Sequence, residues 1–549
     1  MKRINIILSF AAILTLIATS CVKDLDTKPI DPNVFVASNI LSRPGAAKEA
    51  LAKLYSSFAV PGQDGVSGSG DISGIDNGFG VYTRALWMLQ ELSTDEALCA
   101  WNDQTIKDYH WQTWSPTDVF NAAMYSRIIY TVSICNEFIR ITKGSTDPDL
   151  MKYTAEARFL RALAYYHAID MYGKPAFITE ADLPGIFFPK QITRKKLFAY
   201  VSSELRDIAD NNKLGEPRFE YGRADKAAAW MLLSRLYLNA NVYLADPEHP
   251  DQVLSDGDAT YKACLDSCLT YCGKVKSAGY MLEPDYRANF CADNNLSQEM
   301  IFAINYDGTY TRSYGGTGYI IHAATGGFMD AAALGIGSGW GGNRTTREFV
   351  NILTNGYHPI MADSMFTQVK DKRVYLELLG NWDITNVGTF TDGIGVRKFT
   401  NMNHNGTAAI HPHNDFPCTD FPIFRLADAY LMEAEALLRS GGDQNLALQD
   451  INDLRARAYG SNYEQYGKIT AAQLTLSFIL DERGRELYWE AVRRTDLIRF
   501  QEFTTSTYVW QWKGNTINGT STQGYRNIFP IPASEVAANP NIKQNNPNY

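Results

Sequence analysis

Apolar residues recur at three- and four-residue steps through most of the chain, the spacing of one face of an α-helix. In residues 156–172 the series Phe159, Ala162, Leu163, Tyr166 and Ile169 continues from Ala155 and stops at Gly173, a residue suited to a left-handed helix end. The same pattern predicts helices over 194–210, over 224–244 after Gly222, and over 261–278 before Gly279. The clearest pair is 426–439 and 446–458, joined by Gly441 and Gly442, with Ala429, Ala434 and Ala436 small enough for close approach. We pair 156–172 with 194–210 and 224–244 with 261–278, and a fourth pair takes 46–58 with a helix near 119–142. The expected fold is mostly α: about four tetratricopeptide-like hairpins, which bury a continuous core only by stacking. A generic helical bundle is the alternative.

A long helix is expected from about 475 to 500. It carries Glu482, Arg485, Glu486, Glu490, Arg493, Arg494, Asp496 and Arg499, whose i+3 and i+4 spacings suit a salt-bridged scaffold better than a catalytic carboxylate cluster. Two stretches break the helical pattern, 62–114 and 308–342, both rich in glycine and bearing Trp and Tyr. Glycine lets a loop approach a ligand closely, and an aromatic ring on such a loop offers a flat apolar face with a polar edge. That pairing suits a sugar ring, and it makes these loops the expected ligand face. Trp87, Trp111 and Trp114 are assigned to packing.

The N-terminus suggests a compartment. Lys2 and Arg3 precede a mostly apolar run at 4–18, too short to span a bilayer but suited to a secretory signal. Ala18, Thr19 and Ser20 lead to Cys21, so cleavage before Cys21 and its acylation would give a lipid-anchored protein with residues 1–20 as signal peptide. A soluble secreted protein is the alternative. Lys23, Asp24, Leu25 and Asp26 resemble the short acidic signal that sends some lipoproteins to the outer face of the cell. The seven other cysteines are an odd number and no disulfide framework. Cys264, Cys268 and Cys272 fall on one helical face, as a stripe of small buried hydrophobes would.

Charge and motif content exclude several classes. With 51 basic and 60 acidic residues the net charge is −9, and more negative once Lys2 and Arg3 leave, which argues against a nucleic-acid partner. No phosphate-cradling glycine loop ending in Lys-Ser/Thr occurs, and no cofactor is expected. Glycoside hydrolysis needs two facing carboxylates; Asp95 and Glu96 are adjacent and point apart, so a hydrolase is the least favoured reading. His411, His413 and Asp415 beside His404 have a ligand-like spacing on a Pro-bounded surface loop, but no metal is assigned there. Asp293, Asn294 and Asn295 could offer oxygen ligands to a structural calcium without forming a recognised loop.

Four separated runs resemble the SusD/RagB family of outer-membrane lipoproteins in the right order. These are the leader ending in Cys21, GRADKAAAWMLLSRLYLNANVYL at 222–244, RGRELYWEAVRRTDLIRF at 483–500 and FPIPASEVAANPNIKQNNPNY at 529–549. The resemblance covers nearly the whole chain. It implies one domain over 21–549, with helical repeats, inserted binding loops and a C-terminal helical part from about 420. It also implies a non-catalytic surface protein that captures a polysaccharide or oligosaccharide and sits on a SusC-like TonB-dependent transporter. ELSTDEALCAW at 91–101, RSYGGTGYII at 312–321 and the Gly-Trp of GSGWGG at 337–342 resemble the loops of the family's starch-binding founder. By that resemblance the aromatic arc is Trp101, Tyr314 and Trp340, with Asp76, Arg84 and an amide of the stretch holding Asn102 and Gln104 as polar partners. Cys99 stands where the founder has an aromatic, so fructan, other glucans, host glycans and peptides stay open beside starch.

Overall fold

The computed structural model describes residues 43–549 apart from positions 184, 186, 247–248 and 359–360. The expected signal peptide and Cys21 lie outside the described residues. The chain divides between Ala52 and Lys53. On the N-terminal side the described residues are a turn and the opening of the helix Ala46–Ala59. Everything below concerns the unit from Lys53 onward.

Helix α1 (Tyr82–Glu91) is buried along its whole length and leads to the short strand β1 (Leu98–Cys99). Then a ladder begins: α2 (Val119–Thr142), α3 (Pro148–Met171), α4 (Arg194–Asp210), α5 (Lys226–Leu238) and α6 (Ala259–Lys276) each pack on the next. An insertion of residues 277–425 follows. It carries β2 (Met300–Ile304), α7 (Gly316–Ala324), β3 (Asn343–Arg344) and, at its end, β4 (Phe421–Arg425). The ladder resumes with α8 (Leu426–Ser440), which packs on α6 and on both α9 (Gln444–Tyr459) and α10 (Leu476–Leu487). The short helix α11 (Arg493–Arg499) closes the series.

The mostly helical, repeat-like prediction holds. The stack is continuous: each of α3 to α6 has a ladder helix on two sides, and α8 takes α6, α9 and α10. The fourth expected pair is corrected: the antiparallel neighbour of Val119–Thr142 is Pro148–Met171, not the helix at 46–58. The reason is a five-residue turn, 143–147, that brings α3 straight back along α2.

Local chemistry sets most of these boundaries. Asp118, Asp147, Thr193, Asp225, Asp258, Asp443 and Thr475 each accept a hydrogen bond from the first turn of their ladder helix. The exception is α8, which leaves strand β4 directly at Arg425. Strand β4 pairs antiparallel with β2, Met300 opposite Arg425 and Ile304 opposite Phe421, and this ties both ends of the insertion to the ladder. Under α8, Leu431, Ala434, Ile451, Leu454, Ile479 and Leu487 form a core cluster. Cys264, Cys268 and Cys272 are buried on α6 as expected, and all seven described cysteines are unbonded.

The expected single helix over 475–500 is two helices. It breaks at Tyr488–Val492, where Trp489 and Ala491 take the left-handed region at φ 63° and 60°. Non-glycine residues there cost about 1–3 kcal/mol each, so the surroundings must hold the break open. They do. The carboxylate of Glu96 accepts from the Trp489 amide at 2.8 Å, that of Glu91 accepts from the Ala491 amide at 2.6 Å, and Lys398 donates to the Tyr488 carbonyl at 2.5 Å.

The charged residues of this region pair mainly across the fold, not along one helix. Arg425 binds Glu299, Glu486 and Glu490 at 2.6–2.8 Å. Arg457 reaches Glu299 and Glu486, Arg373 reaches Glu482, Glu486 and Asp371, and Lys398 reaches Glu490. All are buried. Burial alone would raise the Glu486 pKa, but Arg457, Arg425 and Arg373 outweigh it and hold the carboxyl well below its ordinary range. Removing one member of such a set leaves uncompensated buried charge, which costs about 3–5 kcal/mol. Glu486→Gln is therefore expected to lower the urea unfolding midpoint by an amount equivalent to about 3–5 kcal/mol. A parental midpoint in tryptophan-fluorescence unfolding would contradict the role given to this carboxylate.

Candidate functional site

The two glycine-rich stretches are less loop-like than their composition suggests, and this is a correction. The first contains α1 and a helix at Gln104–Trp111, and the second contains α7. Strands β1 and β3 join them antiparallel, with Leu98 opposite Arg344 and Cys99 opposite Asn343, and Ala100 donates to the Gly342 carbonyl at 2.9 Å. Secondary structure thus delivers residues from distant sequence to one place.

Trp101 follows β1 and is half-buried. Its indole N–H donates to the Gly341 carbonyl at 2.9 Å. The contact depends on Gly342, which sits at φ 110°: a Cβ there would lie 2.5 Å from Trp101 Nε1. Trp340 precedes these glycines. One face of its ring lies against the imidazole of His322, with centroids 4.7 Å apart and planes 18° from parallel. Tyr314, exposed, has its ring 6.3 Å from that of Trp340, tilted by 50°, and 5.1 Å from Phe416. The three rings expected to form an arc therefore do lie around one site.

Arg84 lies at its centre. It projects from α1, its side chain is nearly buried, and its guanidinium carbon sits 4.2 Å from the Tyr319 ring and 5.7 Å from the Trp101 ring. Burial lowers its pKa from the usual arginine value, against the pull of the Tyr319 hydroxyl and Asp76. Its hydrogen bond to protein among the described residues is a long one, from Nη1 to the Tyr314 carbonyl at 3.4 Å, and Nε has no partner. Nε is buried, so only the Nη end of this ring-held cation is left to meet an outside acceptor. Asp76 does not form an ion pair with it. The exposed Asp76 carboxylate accepts from the amides of Gly78 and Phe79 at 2.7 and 3.1 Å through Oδ1. The two groups flank Gly78, where a Cβ would lie 3.0 Å from Asp76 Oδ1 and 3.5 Å from Arg84 Nη1.

Asn102 and Gln104 are exposed just beyond Trp101. Their side chains are engaged locally, Asn102 accepting from Lys107 at 2.6 Å and Gln104 donating to Asp108 at 3.1 Å. No recorded contact joins them to the three rings. Cys99 is fully buried in β1, its amide bonded to His110 Nε2, so this side chain lies under the surface and not on it.

Several site residues escaped the sequence reading. Tyr319 and His322, on α7, support Arg84 and Trp340 from below, and both are buried. Phe390 stands exposed beside Gly341, 3.2 Å from where a Cβ there would be. The signal for Phe390 was an aromatic among small polar residues in the 385–392 turn; Tyr319 and His322 read simply as an apolar helix face. Trp87 is buried as expected, yet it also carries the site. Its ring meets Trp489 edge-on at 5.1 Å and Tyr319 edge-on at 5.5 Å, and Tyr319 meets Trp101 edge-on at 5.9 Å. Four rings in series connect the helix break to the surface.

Other candidate chemistry disperses. Asp95 is held by Arg493 at 2.8–2.9 Å and by the Tyr508 hydroxyl at 2.6 Å, and Glu96 by the Trp489 amide, all in the interior. His411 pairs with Asp307 at 2.6 Å and His404 with Asp285 at 2.9 Å, while His413 accepts from the Asp415 amide. Separate partners keep these histidines from converging, and no group of three metal-type ligands occurs among the described residues. Asn294 is buried and spends its amide on Asn289 and Asp420.

The SusD family model matches residues 298–549. The chain is 35% identical to the starch-binding protein SusD of Bacteroides thetaiotaomicron over 576 aligned positions, covering 97% of each chain. A SusD superfamily protein from Parabacteroides distasonis superposes with a TM-score of 0.68 at 17% identity, covering 94% of this chain and 100% of that one. Surface glycan-binding protein A from Bacteroides thetaiotaomicron, solved in complex with laminarihexaose, gives 0.65 at 19% identity, covering 92% and 100%.

The carboxyls beneath the site make its support pH-dependent. Burial pushes Glu96 from 4.5 up to about 7, and burial together with the neighbouring Glu96 raises Glu91 well above its ordinary value. The folded state then holds protons that the unfolded chain gives up. This stabilising contribution is complete below about pH 4.5 and is lost as pH rises through about 7. Glu96→Gln is expected to show a shallower fall in thermal midpoint than the parent between pH 5 and about 8. Parallel curves in a calorimetric pH series would contradict the assignment.

Proposed function

We propose that this chain, which belongs to the SusD family, is a non-catalytic cell-surface binder of polysaccharide or oligosaccharide, with a starch-like α-glucan the foremost ligand. In this reading a lipid at Cys21 anchors it to the outer membrane, and it hands its ligand to a SusC-like TonB-dependent transporter. The observation that carries the reading is the grouping of Trp101, Tyr314 and Trp340 around a buried Arg84 whose donors are unspent.

The chemistry of a pyranose fits that group. Its C–H face lies against an aromatic plane, while its rim hydroxyls accept from Arg84 and donate to Asp76. Each contact is modest, and a shallow surface of three rings gains its affinity from a polymer that presents many equivalent sites. The similarity to a protein named for starch binding favours an α-glucan. The shared fold of a protein solved with laminarihexaose keeps other glucans in view, as do fructans and peptides.

Hydrolysis is disfavoured on chemical grounds. A glycoside hydrolase sets one carboxylic acid in apolar surroundings to protonate the leaving oxygen. Here the acids nearest Arg84, Asp76 and Asp103, are exposed, and the shielded acids Asp95 and Glu96 are consumed by Arg493, Tyr508 and Trp489.

In affinity electrophoresis through gels containing amylopectin, laminarin or inulin, the protein is expected to be retarded by at least one polymer and to release no reducing ends from it. Trp340→Ala and Trp101→Ala should each weaken that retardation, corresponding to an affinity loss of about five- to tenfold, the scale of one lost aromatic contact. Retardation by none of these polymers, or full retardation of both variants, would overturn the reading.

A further inference from the structure

A groove of about 560 Å³ lies beside the aromatic platform, within the roughly 300–1,000 Å³ typical of small-ligand sites. One wall is formed by residues 60–67, including Gln63, Asp64 and Ser67, and the other by Thr309, Tyr310 and Arg312. These walls are the same two chain segments that carry the platform. The first runs on to Asp76, and the second runs on to Tyr314. The Cα atoms of Tyr310 and Tyr314 can be no more than about 14 Å apart, four residues at full extension.

Contacts bridge the two places. The Tyr314 ring lies 5.1 Å from Phe416, and the Arg312 guanidinium carbon lies 5.8 Å from that same ring. Tyr310 is 83% exposed, more than any other aromatic ring among the described residues. Single exposed rings are common on protein surfaces, but the backbone that holds this one is fixed. Asp307 accepts from the amides of Thr309 and Tyr310 at 2.7 and 2.8 Å, and its other oxygen takes His411 at 2.6 Å. His411 then meets the Tyr310 ring edge-on at 6.0 Å. The opposite wall is pinned as well, by Asp71 to Pro61 at 2.9 Å and by the Asn77 amide to Gly68 at 2.6 Å. The groove offers a held, exposed ring, a guanidinium, a carboxylate and an amide, and its lining is polar and apolar in nearly equal share, as the rim and the C–H faces of a sugar require. A polyhydroxylated ligand suits that mixture; a lipid or an apolar helix does not.

We propose that the ligand platform continues into this groove as a second subsite, with Tyr310 stacking on a sugar ring and Arg312, Gln63 and Asp64 meeting its hydroxyls. The inference rests on the glycan-binding reading above. It adds a selection for length: a chain of a few sugars fills the platform alone, and a longer chain fills both.

Calorimetric titration with maltotriose and maltoheptaose, and with the laminari-oligosaccharides of the same lengths, tests this. In whichever series binds, Tyr310→Ala is expected to weaken the heptasaccharide about three- to tenfold, the worth of one stacking contact, and to leave the trisaccharide unchanged. The unchanged trisaccharide also reports that the variant is folded. Trp340→Ala should weaken both lengths. If Tyr310→Ala binds both lengths like the parent, or weakens both equally, the second subsite is overturned while the platform stands. If the parent binds neither series, the glucan reading of the platform falls and the subsite falls with it.

Discussion

The buried charge set around Glu486 and Arg425 is the constraint from which the rest of the structure follows. Charges withdrawn from water must each find a partner, and here the partners come from separate parts of the chain: Glu299 and Arg425 at the two strands of the insertion, Arg373 and Lys398 within it, Arg457 on α9 and Glu486 at the end of α10. Satisfying them all draws the 277–425 insertion onto the ladder. It also fixes where α10 must end, because Arg425 takes the Glu486 carbonyl at 2.6 Å and Lys398 takes that of Tyr488. A hydrophobic interface of equal area would hold the parts together with less demand on their register.

The break after α10 carries this constraint to the surface. Trp489, held in a left-handed conformation by Glu96, takes the Trp87 indole N–H on its carbonyl at 3.2 Å and starts the series of edge-on rings through Trp87 and Tyr319 to Trp101. Edge-to-face contacts fix ring orientation as well as distance. Trp101 is thereby set from below, and its N–H is set from the side by Gly341. In the proposed role, a ring that is already oriented would lose little freedom on meeting a ligand, which matters when each contact is weak. Arg84 gains similarly, its guanidinium held on Tyr319 with donors still available.

Helix positions were largely legible in the sequence because they rest on local rules. The apolar periodicity and the glycine stops place α2, α4, α6, α8 and α9 within a few residues, but start α3 eight residues late and run α10 on into α11. Trp101, Tyr314 and Trp340 were singled out through glycine context and family resemblance, and the structure brings them near one another. What escaped was set by distant contacts. Nothing in the run YWEAV, with no Gly or Pro, announces a helix break; Glu91 and Glu96, nearly 400 residues away, impose it. The pairing of α2 with α3 was not read because Pro148, the first residue of α3, reads equally as a breaker and as a helix start. Tyr319 and His322 look like ordinary apolar-face residues until the neighbours above them are known.

A crystal structure of the protein with an oligosaccharide that it retains in affinity electrophoresis tests the central claim most directly. The account predicts sugar rings lying against Trp101, Tyr314 and Trp340, with ring hydroxyls within hydrogen-bond distance of Arg84 and Asp76. Sugar bound on the helical ladder or elsewhere, with those three rings left uncovered, would contradict it.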